Sequence, residues 1–421
     1  MRQSENIENI DPTIARRIIE VAGGNGIPPE YGFQFFTVGL DPYLTVLEEE
    51  YLSSFIKDGG SSFKMVVGVY GGGKTHFLYC IRDFAWKYNY ATSYVSLSPA
   101  ESPFHKLDLV YRAIVNGLTP PLTAEELLSG YEKGIESFIR SWYIQKHREV
   151  KSYMDKEEQI YEELNMHLDE IYGIESGSFA NAVKEAFRAL MYRRDEDFAV
   201  ICQWLKNEGY DRKLHGRFRI FQHIDQSTAP QMIRSLAQWI KQIGYTGLVI
   251  LLDEAERIPS LSTKNREQHL SNLREIIDEC GHTSLQSVMI FYAVPDENFL
   301  EGRTQVYEAL RQRVSPVFDD RLNPTGVKIA LERLEERHEP LQTLVEIGRR
   351  LESIYEKAYN FQFPPAQTDK LISRVANECY EKRFGDIGYK RLFVQELIRN
   401  FHEVRRERQT SSDSGGNVGR T

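Results

Sequence analysis

One run of residues, Gly68-Val69-Tyr70-Gly71-Gly72-Gly73-Lys74-Thr75, constrains this chain more than any other feature. It matches the pattern Gly-x-x-x-x-Gly-Lys-[Ser/Thr] in full. The context matters more than the string. A short apolar strand, Phe63-Lys64-Met65-Val66-Val67, precedes it, and a helix carrying Phe77, Leu78 and Ile81 follows. The glycines let backbone N–H groups wrap a β-phosphate where side chains would clash, and the helix N-terminus adds partial positive charge. Lys74 is expected to reach the β- and γ-phosphates, and the Thr75 hydroxyl to ligate Mg²⁺. Gly68, Tyr70, Gly71, Gly72, Gly73 and His76 complete the expected nucleotide-binding residues around Lys74 and Thr75. The bland alternative is a strand-to-helix turn that binds nothing, and the flanking elements weigh against it.

The complementary half is Leu248-Val249-Ile250-Leu251-Leu252-Asp253-Glu254. A carboxylate at the tip of a buried strand is costly unless positive charge sits beside it. Asp253 is expected to hold Mg²⁺, and Glu254 to orient and deprotonate an attacking water. The alternative is that both cap the next helix. Glu256 reads as structural.

Around these motifs the strands Phe63–Val67, Ala91–Leu97, Gly247–Leu252, Ser287–Ala293 and Val327–Leu331 alternate with helices and are apolar along their length. That pattern predicts an α/β fold with a parallel sheet covered on both faces. Residues 105–240 read as a large helical insertion, within which the capping box Thr123-Ala124-Glu125-Glu126 opens a stretch with Leu128, Tyr131, Ile135, Phe138, Ile139 and Trp142 on one face. A helix entered at Asp11-Pro12 is expected to end at Gly23-Gly24. The expected organisation is an N-terminal helical segment at 1–60, a core at 61–335, C-terminal helices at 336–407 and a polar, disordered tail at 408–421.

Composition narrows the partners. The net charge of −9 excludes a generally basic coat, though not a local basic groove. No apolar run reaches the length of a membrane span, and the N-terminus lacks the core of a signal peptide. Cys80, Cys202, Cys280 and Cys379 are too scattered for a disulfide framework or a zinc site. These features point to a soluble cytoplasmic protein.

Weaker candidates remain. Arg311 and Arg313 lie on the helix leading to the last strand, where one of them, Arg313 by preference, would complete a neighbour's site in a homo-oligomer. The alternative is a solvated helix end. Tyr292, Asp296 and Asn298 follow the strand next to the acidic one, a place from which a γ-phosphate can be sensed. Arg391 could reach the nucleotide from the C-terminal helices or simply be exposed. The basic-aromatic run from Tyr210 to Arg219 fits either phosphate contacts or a solvated face.

Taken together, Phe36-Thr37-Val38-Gly39-Leu40-Asp41, the Val69–Thr75 loop, Ile243-Gly244-Tyr245-Thr246-Gly247-Leu248 running into Leu252-Asp253-Glu254-Ala255-Glu256-Arg257, and Lys390-Arg391-Leu392-Phe393 resemble the P-loop ATP-binding proteins of BREX-type bacterial phage-defence systems. That group is similar in turn to AAA+ origin-recognition ATPases. The resemblance, over residues 10–407, implies a P-loop NTPase of AAA+-like type with a helical lid, ATP and Mg²⁺ as ligands, and work on DNA with other defence-system proteins. It also implies that Val38, Gly39 and the Pro28-Pro29 loop lie near the adenine.

Three functions compete at this level. The first is an ATPase coupling hydrolysis to assembly on DNA. The second is a slow or non-hydrolysing ATP switch that scaffolds partners without touching DNA. The third, a small-molecule kinase, lacks a recognisable substrate lid. A GTPase is disfavoured because no Asn-Lys-x-Asp element occurs.

Overall fold

The computed structural model describes residues 7, 10–255, 261–281, 284–296, 305–319, 323–333, 339–383 and 388–415. The chain forms two compact units interleaved in sequence. The first is Met1–Thr45, Val67–Ile81 and Ala330–Thr421; the second is Val46–Val66 and Arg82–Ile329.

A six-stranded sheet organises the second unit, in the order β3-β2-β4-β5-β1-β6. Its strands are β1 (Ser61–Val67), β2 (Ala91–Ser96), β3 (Leu118–Thr119), β4 (Leu248–Asp253), β5 (Val288–Val294) and β6 (Lys328–Ala330). Strands β2, β4 and β5 run parallel, and every residue of β4 and β5 is buried, as two covered faces require. The expected wholly parallel sheet needs one correction. The two residues of β3 pair antiparallel with β2, with Thr92 opposite Thr119. A strand of that length, stopped by Pro120-Pro121, leaves no alternation to read.

Between β2 and β4 the chain is mostly helical. It runs through α4 (Leu107–Asn116), α5 (Ala124–Ser129), α6 (Ile135–Lys151), α7 (Glu157–Asp169), α8 (Gly177–Met191), α9 (Asp195–Leu205), α10 (Arg212–Gly216) and α11 (Ala229–Gln242). Thr123 and Glu126 form the capping box of α5. The apolar stripe expected to continue through it instead starts afresh at α6, whose Phe138 and Trp142 pack on Trp239 at 5.7 and 5.5 Å. Two further helices, α12 (Thr263–Gly281) and α13 (Gln305–Val314), flank β5 in sequence.

In the first unit α1 (Pro12–Asn25) packs with α14 (Pro340–Tyr359) and α16 (Tyr389–Gly415), and α15 (Pro365–Glu381) lies against both α14 and α16. Asp11 caps α1 by accepting from Thr13 N at 2.8 Å. The helix does not stop at Gly23-Gly24; it continues to Asn25, with Ile398 of α16 closed against Gly23. The disordered tail expected from residue 408 does not begin there, because α16 carries on to Gly415, the last described residue. No proline or glycine interrupts it before that point. Asp41-Pro42 opens α2 (Asp41–Val46), which widens into a π-helical stretch, Leu47–Phe55. Helix α3 (Lys74–Lys87) follows the glycine loop.

Candidate functional site

The glycine loop joins β1 to α3, as its sequence requires. Gly71 and Gly73 hold φ of 72° and 99°, a left-handed backbone that a side chain would strain. The turn closes through Gly72 N–H donating to Val69 O at 2.9 Å, and Val69 N–H donates to the Glu332 carboxylate at 2.8 Å. Lys74 opens α3 and is only 6% exposed. Its ammonium donates to Gly68 O at 2.8 Å and Val69 O at 3.2 Å, two carbonyls of its own loop.

Two further parts of the first unit meet this loop. Gly388, just before α16, lies so close that an added Cβ would fall 2.2 Å from Tyr70 O and 2.7 Å from Gly71 Cα. One turn into that helix, Arg391 sets its guanidinium carbon 4.9 Å from the centre of the Tyr70 ring. Arg391 Nε is buried and has no hydrogen-bond partner among the described residues. A buried donor left unsatisfied is uncommon and calls for a reason, such as strain, water or a functional role.

His76 sits in the first turn of α3, edge-on to Phe33 and Phe36 with ring centres 5.5 Å away in each case. Burial, and then Lys390, push its imidazole down to about 4, so it is neutral at ordinary pH. Thr37 Oγ1 spends its proton on Phe33 O at 3.0 Å, so His76 Nε2–H donates to Thr37 Oγ1 at 2.7 Å. Thr37 O accepts from Arg350 of α14 at 2.6 Å. Val38 and Gly39, the residues expected near the adenine, directly follow this tethered threonine; Gly39 has φ of 78°.

The acidic pair lies at the tip of β4 in the second unit. Asp253 is 1% exposed; Tyr94 OH donates to its Oδ2 at 2.6 Å and Glu254 N–H to its Oδ1 at 2.9 Å. Glu254 is exposed, with φ of 60°, a left-handed conformation unusual outside glycine. Such strain persists at functional sites when the surroundings over-determine it. Here the Ser96 hydroxyl donates to Glu254 Oε2. Tyr94 and Ser96 come from β2, whose register sets Ser96 opposite Asp253. Sequence reasoning found that strand but assigned neither residue a role. Their spacing of two puts them on one face, yet only the pairing of β2 with β4 shows what they face.

The remaining candidates are dispersed. Arg313 is held by the Asp278 carboxylate, with 3.0 Å from Nη2 to Oδ2, and by Ala309 O at 2.9 Å. Arg311 is exposed on the same helix. Tyr292 lies inside β5 rather than beyond it; its hydroxyl meets His269 Nε2 at 2.8 Å in the core. Asp296 is exposed, while Asn298 and Glu256 lie outside the described residues. Among the described residues no cluster of three or more His, Cys, Asp or Glu side chains could hold a metal ion by itself, and no helix is long and apolar enough to cross a membrane. Mg²⁺ in nucleotide sites takes one or two protein oxygens and completes its shell with phosphates and water, so a lone hydroxyl and a lone carboxylate are the donors it calls for. Thr75, on the first turn of α3, carries such a hydroxyl, and in the second unit Asp253 carries a carboxylate held by Tyr94.

The family model for the BREX system ATP-binding protein BrxC/D matches residues 10–415. No curated protein and no solved structure matches the chain.

Proposed function

This chain belongs to the family of BREX system ATP-binding proteins, and we propose that it is an Mg²⁺-dependent ATP hydrolase acting with other components of that system on DNA. The observation that carries hydrolysis is Glu254: an exposed carboxylate in a strained backbone, held by a hydroxyl, beside a buried carboxylate held by a second hydroxyl. A structural cap has no need of that strain.

In this reading Lys74 leaves the two loop carbonyls for the β- and γ-phosphates, and the backbone of Gly71, Gly72 and Gly73 surrounds the β-phosphate. Arg391 turns its unpartnered Nε to the nucleotide, and Gly388 lets the first turn of α16 come near enough to do so. Val38 and Gly39 offer backbone to the adenine, steadied by Thr37. Thr75 and Asp253 would hold Mg²⁺, which supplies charge neutralisation to the phosphates. Tyr94 fixes the Asp253 carboxylate, and Glu254 takes the proton of the attacking water. A strand order with β5 between the loop-bearing β1 and the acidic β4 supports an AAA+-like core.

A second reading, a slow ATP-dependent switch that scaffolds partners, has one observation of its own. The Ser96 hydroxyl occupies Glu254 Oε2, and a carboxylate so engaged is less available to a water. Steady-state ATP turnover with and without DNA decides between them. Turnover abolished by Glu254→Gln supports the hydrolase; negligible wild-type turnover with tight ATP binding, under both conditions, supports the switch.

A further inference from the structure

The basic-aromatic run of the insertion forms a built surface in the second unit. Arg212, Lys213, Arg217 and Arg219 fall within residues 212–219 of a chain whose net charge is −9. After α10 the chain alternates. Phe218, Ile220 and Ile224 are buried, while Arg217, Arg219, Phe221 and His223 face solvent.

The backbone of this segment is pinned from several sides. Phe218 N–H and Ile220 N–H donate to His215 O at 2.9 and 3.2 Å. Asn181 Nδ2 donates to Arg219 O at 2.9 Å, Phe221 N–H to Ser178 Oγ at 3.0 Å, and Trp204 Nε1 to Gln222 O at 2.8 Å. Arg219 is held at φ of 58° within these bonds. The exposed side chains therefore stand on a rigid base, so little ordering is needed when a ligand arrives.

Two properties of the face identify its occupant. The first is unspent positive charge. Asp211 Oδ1 is committed to capping α10 through Lys213 N–H and Leu214 N–H at 2.8 Å each. Asp197 is shared by Arg194 and Arg217, and Asp225 lies 3.8 Å from His223. Arg212, Lys213 and Arg219 form no ion pair among the described residues. The second is the Phe221 ring, which is 65% exposed and lies over Gly216, with Leu214 of the same helix 37% exposed. Phosphates answer the cations, but an apolar ring in water calls for a flat apolar face. Duplex bases are already stacked on one another, and an acidic peptide brings no such face. Unpaired bases do.

We propose that this face is a platform for single-stranded nucleic acid, with Phe221 stacking on a base and Arg212, Lys213 and Arg219 on the phosphates. It deepens the DNA-directed role proposed above and rests on that role only for the class of partner.

The test is fluorescence anisotropy of a labelled oligodeoxythymidine of about sixteen nucleotides, within the range of single-strand site sizes. A duplex of equal length and polyglutamate serve as competitors, and ATP binding is measured on the same samples. The full-length protein should bind the single strand more tightly than the duplex. Phe221→Ala should weaken single-strand binding about tenfold, the scale of one lost stacking contact, and leave duplex competition unchanged. Arg212→Ala with Lys213→Ala should weaken both and flatten the salt dependence by about 1.4 in log–log slope, at about 0.7 per phosphate contact. Equal binding by wild type and all variants, preference for the duplex, or displacement by polyglutamate as effective as by unlabelled oligonucleotide would overturn the proposal. If ATP binds while the oligonucleotide does not, the platform fails and the ATP reading stands; the reverse result sinks the ATP reading alone.

Discussion

Ser96 and Glu254 meet at the ends of neighbouring parallel strands, the serine hydroxyl donating to the carboxylate of a residue whose backbone is left-handed. The bond holds the proposed base and competes with water for it. We therefore expect Ser96→Ala to raise basal ATP turnover, by about tenfold if the bond is of the ordinary charged strength. Glu254→Gln should bind ATP as wild type and turn over about 100-fold more slowly or worse, as when a general base is lost. A fall in turnover with Ser96→Ala would make the serine a positioning group instead.

The strain at Glu254 has its own signature. Glu254→Ala and Glu254→Gly both lose the bond to Ser96, and only alanine keeps the left-handed penalty. The glycine variant should be more stable than the alanine variant by about 1 kcal/mol. Urea denaturation of the pair measures this, and equal stabilities would mean the turn relaxes at no cost.

Gly388 tests the approach of α16 to the phosphate loop. A methyl group there falls 2.2 Å from Tyr70 O, so the helix start must shift and take Arg391 with it. Gly388→Ala should weaken ATP binding at least about tenfold, the scale of one charged hydrogen bond, while adenosine binding hardly changes. Equal losses for both ligands would place the effect on the fold rather than on phosphate recognition.

Two buried imidazoles set a pH dependence. Burial, with smaller help from Lys390 and His105 respectively, pushes His76 down to about 4 and His269 to about 3, from an unfolded value of 6.5. Both are neutral when folded, and the unfolded chain takes up their protons first as pH falls. Stability from this source is complete above pH 6.5 and declines towards pH 4, by about 1.4 kcal/mol per pH unit for each group. Replacing either histidine with glutamine should flatten the denaturation-derived stability over that window by one proton. An unchanged slope would show that the imidazole is not held neutral.

The arginines of α13 divide by their partners. Arg313→Ala leaves Asp278 only its longer pair with Arg274, at 3.5 Å, and should lower stability by about 1 kcal/mol. Arg311→Ala should leave stability alone and, if the protein assembles with shared sites, cut turnover by about 10³-fold. Mixing Arg311→Ala with Lys74→Ala should then recover activity. Recovery with Arg313→Ala in its place would return the trans-acting role to Arg313.

What the sequence determined by itself was local chemistry. The glycine loop, the strand leading into it and the helix leaving it are all set within residues 61–87, and Leu248–Glu254 announces a buried strand ending in acid. The capping box at Thr123 was legible for the same reason: its partners lie three residues apart. Only the tertiary structure put Tyr94 and Ser96 beside Asp253 and Glu254, gave Arg313 to Asp278, and brought Gly388 against Tyr70. Those partners are tens to hundreds of residues apart. Periodicity says which face of an element is buried and is silent on which other element covers it. That choice is made by sheet order and helix packing across the whole core, where many long-range contacts compete and no single residue pattern records the result.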